Sequence, residues 1–243
     1  MTPVLDLLLF LVVGMALSLF GGGGAIILIP YMTGILGMRV DQAALLSLLT
    51  IGANTGVQSV FDRHSIQWKA VALFSLIAFP ATALSATYLA PVVPDKIRML
   101  CFGIFTLSVA SLMFFPLKPR SDKGENHAGI GVSAAATGVL CGLVGVGGGI
   151  FIAPALSLFY QIPLKEAVKS SLAIVAIQSV TALLAYLARG VRVPITEALL
   201  MLVMVGLGVV AGRWVKNRTP EKLLKQCFAF FLLGIGTWVI LKP

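Results

Sequence analysis

The stretch Gly145-Val146-Gly147-Gly148-Gly149-Ile150-Phe151-Ile152-Ala153-Pro154 has a counterpart 124 residues earlier, Gly21-Gly22-Gly23-Gly24-Ala25-Ile26-Ile27-Leu28-Ile29-Pro30. Both copies interrupt apolar sequence. Glycine costs about 1 kcal/mol relative to alanine inside a helix, so a run of three or four favours unwinding. A new helix is expected to start directly after each run, at Ala25 and at Ile150. Its first N–H groups have no intrahelical partner, and its dipole places about half a positive charge there. Pro30 and Pro154 add to the irregularity, because each leaves the carbonyl four residues earlier without its usual donor. Backbone this irregular is tolerable within a membrane only inside protein or beside a wet cavity.

The surrounding sequence puts these breaks in a membrane. Charged residues are 11% of the 243, 58% are apolar, and the mean hydropathy is +1.01. A soluble domain carries roughly 25% charge, so this chain lacks the polar surface to clothe a water-soluble globule. The composition excludes an ordinary soluble enzyme. It also excludes a nucleic-acid module, despite 18 Lys and Arg against 9 Asp and Glu, because the bases sit in short loops between apolar stretches. An all-α integral membrane protein is expected.

Ten apolar stretches read as helices: Val4–Phe20, Ala25–Gly37, Ala43–Phe61, Ala70–Ala90 and Ile97–Phe115, then Gly129–Val144, Ile150–Tyr160, Ala167–Ala188, Ile195–Trp214 and Leu223–Leu241. The second five repeat the first. A shift of 124 pairs Gln42-Ala43 with Glu166-Ala167, Ser47-Leu48 with Ser171-Leu172, and Asn54 with Gln178; a shift of 126 then pairs Arg63 with Arg189, Pro94-Asp95-Lys96 with Pro220-Glu221-Lys222, and Cys101-Phe102 with Cys227-Phe228. The expected architecture is two repeats, 1–117 and 129–243, joined by a polar loop at 118–128. Each repeat is a Gly-broken pair of short helices followed by three transmembrane helices, giving 8–10 segments.

Loop bases set the orientation. If each broken pair crosses twice, or dips in and returns, one face carries Arg63, Lys69, Lys118, Arg120, Lys123, Lys165, Lys169, Arg213, Lys216, Arg218, Lys222 and Lys225. The other face carries Arg39, Lys96, Arg98, Arg189, Arg192 and Lys242. If each pair instead crosses only once, the tally is 10 to 8, so the positive-inside rule prefers the first arrangement, with its richer face cytoplasmic. Each repeat then crosses an odd number of times, so the repeats are inverted and both termini lie outside the cytoplasm.

Short, Gly- or Pro-interrupted segments at matching places in two halves point to a transporter's binding site. The expected anion-binding groups are the backbone N–H groups of Gly22, Gly23, Gly24, Ala25, Gly147, Gly148 and Gly149, with Pro30 and Pro154 fixing the broken helices. Ser47, Thr50, Asn54 and Gln58 fall on one helical face, and Ser170, Ser171 and Gln178 repeat it more thinly. Of these, Ser47, Asn54, Ser171 and Gln178 are the expected side-chain contacts. Interhelical hydrogen bonding is the competing role for this face, and close helix packing the competing role for the glycines. Asp6 and Glu197, both near segment ends, are the ionisable groups expected inside apolar stretches. No metal-ligand pattern, phosphate loop or Ser/His/Asp arrangement occurs, so neither a metal, a cofactor nor an enzymatic activity is expected. Cys101, Cys141 and Cys227 are expected as small packing residues.

The two glycine-rich stretches, each closing on a proline and each opening one half of a duplicated chain, resemble the signature of the TauE/SafE sulfite exporter family. That resemblance spans nearly the whole chain, and the second stretch is the more typical of the two. It implies an inner-membrane secondary transporter for sulfur-containing anions such as sulfite, sulfonates, sulfoacetate or thiosulfate. Alternating access would expose a site between the breaks to each side in turn, and the membrane lipid would be a partner. A coupling ion, H⁺ or Na⁺, and a homo-oligomer stay open, as do the alternatives of an anion channel or a carrier of another small anion or organic acid.

Overall fold

A computed structural model describes residues 3–20, 24–114, 127–193, 195–216, 230 and 233–241. Every regular element among them is helical. The first half runs α1 (Pro3–Phe20), α2 (Gly24–Gly34), α3 (Val40–Phe61) and α4 (Trp68–Leu84). The last passes through a π-helical turn at Ser85–Leu89 into the short α5 (Ala90–Val92), and α6 (Asp95–Phe114) follows. The second half runs α7 (His127–Val144), α8 (Gly149–Phe159), α9 (Leu164–Ala188) and α10 (Ile195–Lys216), and residues 233–241 are helical again. Five of these helices are long and apolar enough to cross a membrane: Val40–Phe61, Trp68–Val92, His127–Val144, Lys165–Ala188 and Ile195–Val215.

Large apolar side chains cover the outside. On α10, Val203, Leu207, Val210 and Trp214 are exposed in one stripe, and Leu76, Phe79, Leu84 and Tyr88 are exposed along α4 and its π turn. An apolar surface this extensive is the mark of a surface that faces lipid. This is a multi-pass membrane protein.

The two helices that flank each glycine run pack as an antiparallel hairpin. Gly24 at the start of α2 lies against Val13 and Leu17 of α1. At the other end of that hairpin the Tyr31 hydroxyl donates to the Asp6 carboxylate, and the Phe10 and Tyr31 rings meet edge to face with centroids 6.3 Å apart. In the second hairpin Gly148 faces Thr137, and Gly129 faces Phe159. The long arms, α1 and α7, have 18 residues each, and the short arms, α2 and α8, have 11 each. Eleven residues make about 16 Å of helix, about half the hydrocarbon thickness.

The hairpins dock on the opposite half of the chain. Gly14 of α1 lets that helix approach α10 at Val205 and Gly208; its counterpart Gly138 of α7 faces α4 at Ala78 and Thr82. In both pairs the helices run parallel. Between them α3 and α9 pack together antiparallel: Asp41 meets Arg189 at one end, Gly52 meets Ser179 in the middle, and Asp62 meets Lys169 at the other end. Exchanging equivalent elements between the halves maps α1 on α10 onto α7 on α4, and α3 with α9 onto itself.

Candidate functional site

At the second break every residue from Gly145 to Gly149 is buried. Gly145 and Gly148 have φ of +81° and +61°, the left-handed region that a side chain disfavours, so the turn needs glycine at both places. Gly145 ends α7 in the usual left-handed manner, its N–H bonding to the Cys141 carbonyl at 2.8 Å. The Gly148 carbonyl starts α8 by accepting from Phe151 at 2.9 Å and Ile152 at 3.1 Å.

The tip is packed into the α3/α9 crossing. A Cβ on Gly145 would stand 2.6 Å from the Ala44 Cα, and one on Gly147 would stand 2.6 Å from the Val175 Cγ1 and 3.6 Å from the Ser179 Oγ. The Ser47 hydroxyl donates to the Gly145 carbonyl at 3.1 Å. The carbonyls of Gly145 and Gly148 are therefore taken. The amides are not: the N–H groups of Val146, Gly147, Gly148 and Gly149 have no acceptor among the described residues. Ser179 Oγ, near Gly147, has no partner either, and neither do the two amide atoms of Gln178, next to it in α9, or Thr50 Oγ1, one turn along α3 from Ser47. Gln178 and Thr50 are 0% exposed. A buried polar group left unpaired costs about 1–3 kcal/mol, so a cluster of them calls for a guest, an ordered water or a functional reason.

The expected site residues separate in space. Gly147, Gly148 and Gly149 form the tip, Ser47 holds it, and Gln178 adjoins Ser179 on the α9 segment against which the tip packs. Ser171 lies about two turns away along α9, donating to the Val168 carbonyl at 2.8 Å. Asn54 is half-buried, donates to the Thr50 carbonyl at 2.9 Å, and stands beside Gly206 of α10. Neither joins the second break. Gly24 and Ala25 open α2, while Gly22 and Gly23 lie outside the described residues, as do residues 118–126 of the polar loop and Cys227. Pro30 and Pro154 sit inside α2 and α8, which continue through them, so the prolines do not break these helices. Cys141 is buried among Ala44, Leu45, Leu48, Ala86 and Ala182, as a packing residue should be.

Sequence reasoning overlooked Ser179 and, more conspicuously, Arg98. Counted there among the loop bases, Arg98 is 1% exposed. Its Nε donates to the Leu143 carbonyl at 2.7 Å, one terminal nitrogen reaches Asp41 at 2.8 Å and Asp95 at 3.0 Å, and the other donates to the Tyr186 hydroxyl at 2.8 Å. The signal was a lone arginine one residue inside the apolar stretch Ile97–Phe115.

Two clefts open at opposite ends of the α3/α9 pair. One, of about 340 Å³, is lined by His64, Ser65, Gln67, Lys165, Glu166 and Lys169. The other, of about 370 Å³, includes Thr33, Val40, Asp95, Lys96, Met99 and Trp238. Beside the first, Asp62 lies 3.6 Å from both Lys169 and Arg213.

The profile of the family described as sulfite exporter TauE/SafE matches residues 7–239 of this chain. The chain belongs to that family. Among relatives of this TauE/SafE protein, a probable membrane transporter protein of Methanocaldococcus jannaschii is 29% identical, the match covering 95% of this chain and 92% of the relative. Probable membrane transporter proteins of Bacillus subtilis and Xylella fastidiosa are 24% and 25% identical, over 99% and 94% of this chain and 98% and 91% of their own lengths. No solved structure matches. These names describe transporters and not enzymes, so the TauE/SafE chain is a membrane transporter.

Proposed function

We propose that the protein carries a small sulfur-containing anion, of the sulfite, sulfonate, sulfoacetate or thiosulfate class, across the cell inner membrane by alternating access. The observation that carries this reading is the run of four buried amides, Val146–Gly149, with no acceptor among the described residues and with Ser179 unpartnered beside them. Amides converging at the positive end of α8 suit an oxyanion. Neutral Ser, Thr and Gln side chains could orient it without the tight grip of a buried cation, which favours release. The family description supports the sulfur chemistry.

In this reading 1–117 and 129–243 are inverted repeats. Support comes from the antiparallel α3/α9 pair and from the exchange of α1 on α10 with α7 on α4. The Asp62 end, near Arg63, Lys69, Lys165, Lys169 and Arg213, faces the cytoplasm, and both termini face the opposite side. In this reading an anion enters by the cleft at either end of the α3/α9 pair, and the buried tip is the occluded barrier.

The test is flux of sulfite, thiosulfate, sulfoacetate and taurine into proteoliposomes, with and without H⁺ and Na⁺ gradients. Saturable flux of at least one anion, abolished in Gly148→Leu, is expected. Undiminished flux in that variant would remove the site, and flux that never saturates would indicate a channel.

A further inference from the structure

Arg98 and Tyr186 are among the largest fully buried side chains of the described residues. A guanidinium is tolerated there only because its donors are satisfied. Two of the groups it serves are unusual. Arg98 Nε holds the Leu143 carbonyl, and the Tyr186 hydroxyl, itself accepting from Arg98, donates to the Gly142 carbonyl at 2.9 Å. Both carbonyls belong to the last turn of α7, where the negative end of its dipole gathers. They lie two and three residues before Gly145. An anion on the amides of Val146–Gly149 thus has the carbonyl end of a helix as its neighbour in the chain, and that end is capped by a cation.

The cap is itself braced. Asp41 holds Arg98 with one oxygen and lies 3.4 Å from Arg189 with the other. Arg189 donates to the Ala86 carbonyl at 3.1 Å, and its guanidinium carbon stands 5.1 Å from the centre of the Tyr186 ring. Two guanidinium groups thus share the carboxylate of Asp41, and Asp95 is 54% exposed. The duplication does not repeat this device. Lys165 stands where Asp41 would recur, Leu224 where Arg98 would, and Val60 where Tyr186 would.

We infer that Arg98 and Tyr186 are positioning residues for the anion: they hold the carbonyl end of α7, offset its negative field, and make the second glycine break the stronger of the two anion-binding elements. This rests on the anion-carrier reading above. Neither side chain touches the anion; each acts through the α7 terminus.

The test compares wild type with Tyr186→Phe, Arg98→Lys and a control, Arg192→Gln, which removes an exposed base outside the clamp. KM and maximal flux are measured in proteoliposomes for whichever of sulfite, thiosulfate, sulfoacetate and taurine wild type moves at the lowest KM. The melting temperature without anion is measured alongside. Tyr186→Phe deletes only the hydroxyl, and its KM should rise roughly five- to ten-fold, the effect of one lost hydrogen bond, with maximal flux nearly unchanged. Arg98→Met, measured as a fourth variant, should raise KM more than Arg98→Lys, which keeps the charge, and Arg192→Gln should match wild type. A Tyr186→Phe protein that melts lower at unaltered KM would make the clamp a structural brace only and overturn the inference. A wild type that moves none of the four anions would sink the carrier reading, and this inference with it.

Discussion

Gly147→Ala probes the seat of the hairpin tip most directly. Gly147 does not have a positive φ, so the backbone accepts alanine without strain, and whatever follows comes from packing. The new Cβ would arrive 2.6 Å from the Val175 Cγ1, a distance real side chains do not adopt, and Val175 is 0% exposed. Either Val175 or the tip must move. Forcing an extra carbon into a filled core costs about 1–3 kcal/mol. If the tip yields, its amides leave Ser179, and a loss near the middle of that range corresponds to roughly 30-fold in anion affinity. Val175→Ala removes the obstructing methyl, so Gly147→Ala combined with Val175→Ala should recover most of the loss. The assay is a double-mutant cycle read by thermal unfolding in detergent and by transport KM. A coupling energy of about 1–2 kcal/mol is expected. Additive effects, within about 0.5 kcal/mol, would mean that Gly147 and Val175 are not in contact and would refute the packing on which the site depends.

Gln178→Leu should raise the melting temperature while weakening anion binding, because it replaces an unpaired buried amide, whose burial costs about 1–3 kcal/mol, with an apolar group of similar size; a fall in both would show that Gln178 has a structural partner. Ser179→Ala should raise KM about five-fold with little effect on melting, the loss of one hydrogen bond, and an unchanged KM would remove Ser179 from the site. Gly138→Val should lower stability by about 2 kcal/mol or more, since its Cβ would stand 2.6 Å from the Ala78 carbonyl oxygen where α7 meets α4; unfolding at the wild-type temperature would contradict that approach. A cysteine introduced at exposed His64 should react with a membrane-impermeant thiol reagent in inside-out vesicles and not in intact cells, and the reverse pattern would invert the assigned orientation.

Most of the helical plan is written plainly in the chain. The expected stretches Val4–Phe20, Gly129–Val144 and Ile195–Trp214 agree with α1, α7 and α10 to within two residues at each end, because long apolar runs in a membrane leave the backbone few alternatives to helix. The turn at Gly145–Gly148 was legible for a similar reason, as consecutive glycines cannot sustain a helix in competition with other residues. Finer points were not. Gly37 closes the turn after α2, which stops at Gly34, since the left-handed φ of +67° at Gly37 is a tertiary choice. Asn54 and Ser47 share a helical face in sequence, yet Ser47 meets the tip while Asn54 stands against α10, because two different neighbours divide that face between them. Arg98 carries the same lesson for charge: proximity to a segment end suggested water, whereas the carbonyls of α7 and the Asp41 carboxylate supply its surroundings instead.

The arginine clasp has a consequence for the autonomy of the halves. Asp41 and Arg98 come from the first half of the chain, but the carbonyls they steady belong to the second. The second half therefore depends on side chains of the first to close the end of its own helix. Splitting the gene within its linker should yield two polypeptides that insert separately yet do nothing until they find each other.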